Sequence, residues 1–337
     1  MNPSQAIGPL SVGNVVSAGF RLYNDNRQRY LLVSLRAIAW TGLGLLYALL
    51  IVGLVIGGSF AAIAVGAGGD RSPGFLAIGL GVLLILPGIP LWIFCAAKRI
   101  YNATLIARNA YMYLANRPEP MRQTDQSVRR KIWPFWLTRV LVALILYIPN
   151  LATSFLQQIF GIGFNSDNRV IMIISGILVF AVVLIGWGVQ AWLAARLLIP
   201  EVALAVEEEL KTANSISRSW MLTNGNSLRI ILILLVALLV TLPLYSLAVL
   251  PAILIAALLI PSSAWQSLTS ASPITTNAAQ SAVTVLIVFG LAFAVYLILL
   301  QVIELLVIPF WQSIKAVVYY DLRNRREGLG LRLSDRP

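Results

Sequence analysis

The sequence predicts an all-α integral membrane protein, and three observations carry that prediction. Of its 337 residues, 59% are hydrophobic and 11% charged, against about a quarter charged in soluble domains. The apolar residues form six runs, each long enough to cross a hydrocarbon core roughly 30 Å thick at about 1.5 Å per residue. Hydrophobicity within each run is continuous rather than alternating, so the backbone satisfies itself as a helix and not as a barrel strand.

The runs place spans at 36–63, 75–97, 135–160, 170–198, 230–260 and 281–309, within a single polytopic membrane domain over 1–337. Ahead of the first span, Val12, Val15, Val16, Phe20 and Tyr23 fall on one helical face behind a Ser11 cap. This predicts an interfacial amphipathic helix over 11–23. Met1 to Tyr30 holds no compact apolar core with a small-residue cleavage site, so the first span is expected to act as the insertion signal. Glycine runs near 53–69 and 74–88 read as close helix packing. A weaker amphipathic stretch, Ala97 to Leu114, follows the second span. In the fifth span, Pro243 and Pro251 predict either a kink or an early end that leaves 252–260 re-entrant. A basic tail covers 315–337.

Charge sets the expected orientation. The connections near 64–74, 161–169 and 261–280 contain only Arg71 and Arg169, leaving 23 of the 25 Lys and Arg on the other side. Because basic residues near span ends stay cytoplasmic, both termini are expected in the cytoplasm of a bacterial-type inner or internal membrane. The net charge of +12 follows span ends instead of forming one stripe, so nucleic acid is not an expected partner.

Short signals recur along the chain. Arg21-Leu22-Tyr23, Lys131-Ile132-Trp133 and Arg218-Ser219-Trp220 each precede a pair of spans, as cation and aromatic suited to the headgroup level. Each second span carries an Ile-Pro step, at Pro90, Pro200 and Pro309. The aromatic-to-proline separations are 67, 67 and 89 residues, and Arg29 maps onto Arg139 at the same 110-residue offset that relates the first two units. The pattern predicts three parallel-repeat helical hairpins, over 11–110, 121–210 and 211–328. Each proline is read as a packing kink or as a moving hinge.

Glu304 is the acidic residue inside an apolar run, with Gln301 one turn away. A carboxylate there must be protonated, paired or turned inward, and Arg36 or Arg139 at the starts of their spans is the expected ion-pair partner. A proton- or substrate-binding role is the rival reading. Glu201, Glu207, Glu208 and Glu209 form an acidic cluster among basic segments, read as a solvated or paired face. The sole cysteine, Cys95, lies in an apolar run and reads as a core residue.

The absence of histidine removes Ser-His triads, His-ligated metals and histidine relays, and one cysteine removes Cys-rich metal sites. Gly-rich phosphate loops of the Walker type are also missing. The expectation is a non-enzyme with no catalytic residues, cofactor or metal.

Two passages resemble a known group of bacterial membrane proteins. The first runs from Leu198-Ile199-Pro200-Glu201 through Glu209 to Ser217-Arg218-Ser219-Trp220-Met221-Leu222-Thr223-Asn224-Gly225. The second is Tyr319-Tyr320-Asp321-Leu322-Arg323-Asn324-Arg325-Arg326-Glu327-Gly328-Leu329. Both are similar to the membrane domain associated with glycerophosphoryl diester phosphodiesterases and its stand-alone relatives. The resemblance implies architecture rather than activity, since in fused relatives the chemistry belongs to a separate soluble hydrolase domain, which these 337 residues are not expected to contain. The terminal motif of Tyr320, Asp321, Arg323, Arg325, Arg326, Glu327 and Gly328 is expected either to lock the tail onto cytoplasmic loops or to bind lipid headgroups.

Two functions fit these residues. One is a non-catalytic protein that scaffolds, assembles or stabilises a membrane complex or its lipid environment, with membrane lipids and a membrane-protein partner or second copy as partners. The other is a transporter or channel for a small solute or lipid, in which Gln157, Gln158, Gln190 and Gln301 would line one cavity.

Overall fold

A computed structural model describes residues 11–64, 72–166, 168–259 and 276–327. Arg71, most of the 261–280 connection, Gly328 and the rest of the tail lie outside the described residues. The described chain is helical, without strands, and six of its helices are long and apolar enough to cross a membrane. It is an all-α, multi-pass membrane protein.

The helices in order are α1 (Val12–Asp25), α2 (Arg27–Ala64), α3 (Ser72–Leu114), α4 (Met121–Arg129), α5 (Ile132–Gly161), α6 (Arg169–Arg196), α7 (Pro200–Val206), α8 (Thr212–Thr223), α9 (Ser227–Leu259) and α10 (Thr276–Glu327). A short 3-10 turn, Ile162–Asn165, follows α5. The chain divides into two compact units, Met1–Leu235 with Pro309–Pro337, and Val236–Ile308.

In the first unit, α1 begins where Ser11 Oγ accepts the Asn14 amide at 3.3 Å. Its buried stripe is Val15, Val16, Gly19 and Leu22, whereas Phe20 is exposed. The apolar face is therefore rotated from the one expected, because a β-carbon on Gly19 would lie 2.8 Å from Ile314 Cγ1. Gly19 lets α1 press against α10.

Helices α2 and α3 pack as an antiparallel pair. Gly74, Gly81, Gly88, Cys95, Asn102 and Asn109 are all buried and stand seven residues apart, the period of a left-handed helix seam. A β-carbon on Gly58 would meet Gly74 O at 2.7 Å, one on Gly81 would meet Val55 Cγ2 at 2.7 Å, and one on Gly88 would meet Tyr47 Cε1 at 2.6 Å. Of the glycines expected to pack closely, Gly58, Gly81 and Gly88 do so, whereas Gly53, Gly57 and Gly79 meet nothing within 4 Å. Farther along the seam Cys95 is a buried core residue, and Tyr30 Oη donates to Asn109 Oδ1 at 3.4 Å.

Proline acts differently at its several positions. Helix α3 runs unbroken through Pro87 and Pro90, so the amphipathic stretch 97–114 continues the span. Just before that pair of prolines, Tyr47 Oη donates to the Leu84 carbonyl at 2.7 Å, in the turn whose bonding a proline disturbs. α9 likewise continues through Pro243 and Pro251, and its helix reaches Leu259 instead of ending early. α10 continues through Pro309. Only Pro200, of the three Ile-Pro steps, stands at a helix break, where it occupies the first turn of α7.

After α3, Asn116 takes φ 55° while Arg117 N donates to Met112 O at 2.9 Å and Asn116 N to Tyr113 O at 3.2 Å. This is a Schellman end, and it turns the chain toward Glu119 and α4. The second unit is a pair of helix segments from α9 and α10. Val285 and Val288 pack on Ala256 there, and Gln301 and Glu304 belong to the α10 segment.

Candidate functional site

The densest polar structure in the first unit surrounds α7. This helix has seven residues, Pro-Glu-Val-Ala-Leu-Ala-Val, and every one is buried. Seven residues form no stable helix alone, so its neighbours must hold it. The helix packs on α3, α5 and α8.

Its N-terminal turn carries Glu201. Arg139 Nη1 donates to Glu201 Oε1 at 3.2 Å, and Lys315 Nζ donates to Oε2 at 3.2 Å. The Glu201 and Lys315 side chains are 9% and 13% exposed, whereas that of Arg139 is 56% exposed. The carboxylate also lies at the favourable end of the helix dipole.

The C-terminal turn is closed by two cations. Lys131 Nζ donates to Leu204 O at 3.0 Å and to Glu207 O at 2.7 Å. Arg108 Nη1 donates to Ala205 O at 2.6 Å, while its Nε and Nη2 hold Glu119 at 3.2 and 3.1 Å. These donors satisfy carbonyls that a helix end leaves open. Burial holds the Lys131 ammonium below the usual lysine range; Arg108 adds to the effect, and Glu208 and Glu207 oppose it.

Glu207, the next residue, ties in α8 and α10. Its Oε1 accepts from Arg218 Nε at 3.0 Å and from Tyr319 Oη at 2.6 Å. Burial lowers the Arg218 value, but its bonds to Glu207 and Glu327 dominate and hold it above the ordinary arginine range. The acidic cluster is thus divided. Glu201 and Glu207 are paired inside, Glu208 stays largely exposed 3.8 Å from Arg108, and Glu209 is exposed.

The terminal motif meets the same structure. Glu327 bonds Arg218, and its Oε2 accepts from Arg323 Nε at 2.7 Å. Arg323 Nη1 donates to Tyr111 Oη at 3.0 Å. Asp321 accepts from Arg229 at 2.7 Å and from Arg325 at 3.0 Å, and Arg326 donates to the Asn224 carbonyl. Tyr320 packs against Tyr111 with ring centroids 6.1 Å apart. These contacts tie the described part of the motif to α3, α8 and α9.

The six residues expected as interfacial anchors separate by partner. Lys131 and Arg218 are spent on α7, Glu207 and Glu327, while Arg21 is exposed and Tyr23 half-buried. Trp133 is exposed, and Trp220 packs edge-on to Trp192 with the Arg196 guanidinium 4.3 Å from its ring centroid. Arg139, one expected partner of Glu304, bonds Glu201. Arg36 is exposed in the first unit. Gln301 Oε1 is buried without a hydrogen-bond partner in the second.

Sequence reasoning missed Arg108, Glu119, Lys315, Tyr319 and the central place of Glu201. The local signal for α7 was present. Proline followed by glutamate opens a helix, and a helix apolar on every other position is a buried one. The partners were not legible, because they come from positions 62 to 114 residues away.

Among the described residues, no group of three or more His, Cys, Asp or Glu is placed to hold a metal ion. The arrangement binds helices to one another through charge-assisted hydrogen bonds. No protein-family model, curated protein or solved structure matches the chain.

Proposed function

We propose that this chain is a non-catalytic membrane protein that scaffolds, assembles or stabilises a larger membrane complex or its lipid environment. The observation that carries the reading is the buried helix α7, gripped at both ends by cations from α3, α4–α5 and α10. Glu201, Glu207 and Glu327, with Lys131 and Lys315, are engaged with protein partners, as in a frame. The layer is proposed to face the cytoplasm, with both termini there, in a bacterial-type inner or internal membrane.

The proposed threefold repeat is supported by element order. A short helix precedes two long ones three times, as α1–α3, α4–α6 and α8–α10, with the α7 break inside the second set. The similarity to phosphodiesterase-associated membrane domains belongs to the same proposal and carries no activity with it.

A transport reading rests on Gln301, whose carboxamide oxygen is buried without a partner one turn from Glu304. Shared lining by the other glutamines is disfavoured. Thr153 lies against Gly186, and that register sets Gln190 about 12 Å along the α5–α6 pair from Gln157 at ~1.5 Å per residue.

Purification in mild detergent followed by mass spectrometry tests the scaffold. A membrane protein or a second copy recovered in fixed ratio is expected. Recovery of the chain alone at every attempt, with solute flux in vesicles abolished by Gln301→Leu, would replace scaffolding by transport.

A further inference from the structure

An apolar cavity of about 410 Å³ lies on the α2–α3 pair, lined by Gly44, Tyr47, Ala48, Gly88, Leu91 and Trp92 among others. Its floor exists because two glycines withhold side chains. A β-carbon on Gly44 would only touch Cys95 Cβ at 3.6 Å and Trp92 Cδ1 at 3.7 Å, so the space above Gly44 is open. The slot follows helical stripes. On α2 these are Gly44, Tyr47 and Ile51, and Trp40 continues the stripe one turn beyond Gly44. On α3, Gly88 and Leu91 lead to Phe94 and Lys98. From Ile51 to Trp40 is eleven residues, about 16 Å at 1.5 Å per residue. The cavity itself spans Gly44 to Ile51, about 10 Å, and with the stripe to Trp40 the length is close to half of a roughly 30 Å hydrocarbon core, the depth of one leaflet.

The end of the stripe is cationic and aromatic. Lys98 Nζ lies 5.9, 5.4 and 5.7 Å from the ring centroids of Trp40, Phe94 and Tyr101. Trp40 and Phe94 meet edge to face at 5.4 Å. No carboxylate pairs with Lys98 among the described residues. Arg36 and Arg129 lie within electrostatic reach of Tyr101, and the one acid among these groups, Asp125, is hydrogen-bonded by the Tyr101 hydroxyl. Lys98, Arg36 and Arg129 against Asp125 leave an excess of positive charge. Elsewhere in this layer Arg108, Arg139, Arg218 and Lys315 all have carboxylate partners.

We infer that the α2–α3 slot holds one acyl chain of an anionic glycerophospholipid whose phosphate is bound by Lys98. The occupant is fixed by two complementarities. An apolar slot, continued by its stripe to the depth of one leaflet, matches an acyl chain, and unbalanced cations at the end of that stripe match an anionic headgroup. A zwitterionic headgroup brings a second cation to Lys98 and gains less. The aromatic rings sit where Trp and Tyr favour the interface, and they hold the lysine stem in place. This site is separate from the α7 hub and rests only on the membrane-spanning fold, so it stands or falls independently of scaffolding.

Native mass spectrometry of the full chain in detergent, titrated separately with dioleoyl phosphatidylglycerol and dioleoyl phosphatidylcholine, reads the site. Wild type should retain the anionic lipid several-fold better. Lys98→Gln should abolish that preference and leave phosphatidylcholine retention unchanged, while Lys98→Arg restores it. Gly44→Leu fills the slot and should reduce retention of both lipids, with circular dichroism confirming that the helices persist. Equal retention of the two lipids by wild type, or an undiminished preference in Lys98→Gln, would overturn the inference.

Discussion

Replacing Glu201 by Gln keeps the shape of the side chain and removes the negative charge between Arg139 and Lys315. The two bonds have equal length, 3.2 Å, but unequal surroundings. Lys315 is 13% exposed and would be left as a stranded buried cation, which costs about 3–5 kcal/mol when a buried pair is broken from one side. Arg139 is 56% exposed, so water screens it and its share is about 0.2–1 kcal/mol. Glu201→Gln is therefore expected to cost ~3 kcal/mol or more, and Arg139→Gln under ~1 kcal/mol. Replacing both buried partners, as Glu201→Leu with Lys315→Met, removes the stranded charge and should recover much of the loss. Reversible unfolding by sodium dodecyl sulfate in mixed micelles, followed by circular dichroism, measures all four proteins. Arg139→Gln as damaging as Glu201→Gln, or a double variant no more stable than Glu201→Gln, would refute the reasoning.

Further outcomes follow from the same geometry. Gly58→Ala drives a methyl group to 2.7 Å from the Gly74 carbonyl and 2.9 Å from Ala77 Cβ, and overpacking of this kind costs about 1–3 kcal/mol. Gly42→Ala meets nothing within 4 Å and should be neutral or stabilising in the same unfolding assay. Glu327→Gln releases Arg218 and Arg323 together; at 27% side-chain exposure its cost is about 1 kcal/mol and should shrink in high salt. For Lys131 the folded state lowers the lysine value, so between the folded and ordinary values the unfolded chain holds more protons and stability rises with pH. Lys131→Met should flatten that alkaline rise, and a wild-type stability falling through the same window would contradict the assignment.

Much of the fold was legible because a bilayer imposes simple rules. Six apolar runs predict six spans, and the structure has six helices long and apolar enough to cross a membrane, one at each run. Their ends were less legible, since hydropathy marks where lipid contact stops and not where the helix stops. α2 starts at Arg27, nine residues before the apolar run, because Tyr30, Val33 and Ala37 are buried against protein. α10 continues to Glu327 because its polar end packs inside the first unit, with Ile314, Val317 and Leu322 buried. Helix α3 runs through Pro87 and Pro90 unbroken, and Tyr47 of α2 bonds the Leu84 carbonyl in the turn before them.

The charged layer was half legible. That the terminal motif carries complementary charge was visible in Asp321, Glu327 and the interleaved arginines. Which residue sits at the centre was not. Glu201 looked like one member of a solvated or paired face, and only the convergence of Arg139 and Lys315 shows it as a buried charge. Arg21, Lys131 and Arg218 share a sequence pattern yet differ in use. One is exposed, one closes a helix end, and one joins two carboxylates. A short pattern records where a cation sits along the chain, while its partner is decided by packing.

The central claim is that α7 is the structural hub of the charged layer, and hydrogen–deuterium exchange on the protein in micelles tests it most directly. In the wild type, residues 200–206 should be among the slowest of the layer. Glu201→Gln should raise exchange together in 200–206, in 131–139 and in 315–323, because these segments share one set of bonds. Faster exchange confined to 200–206, with the other two segments unchanged, would contradict the account.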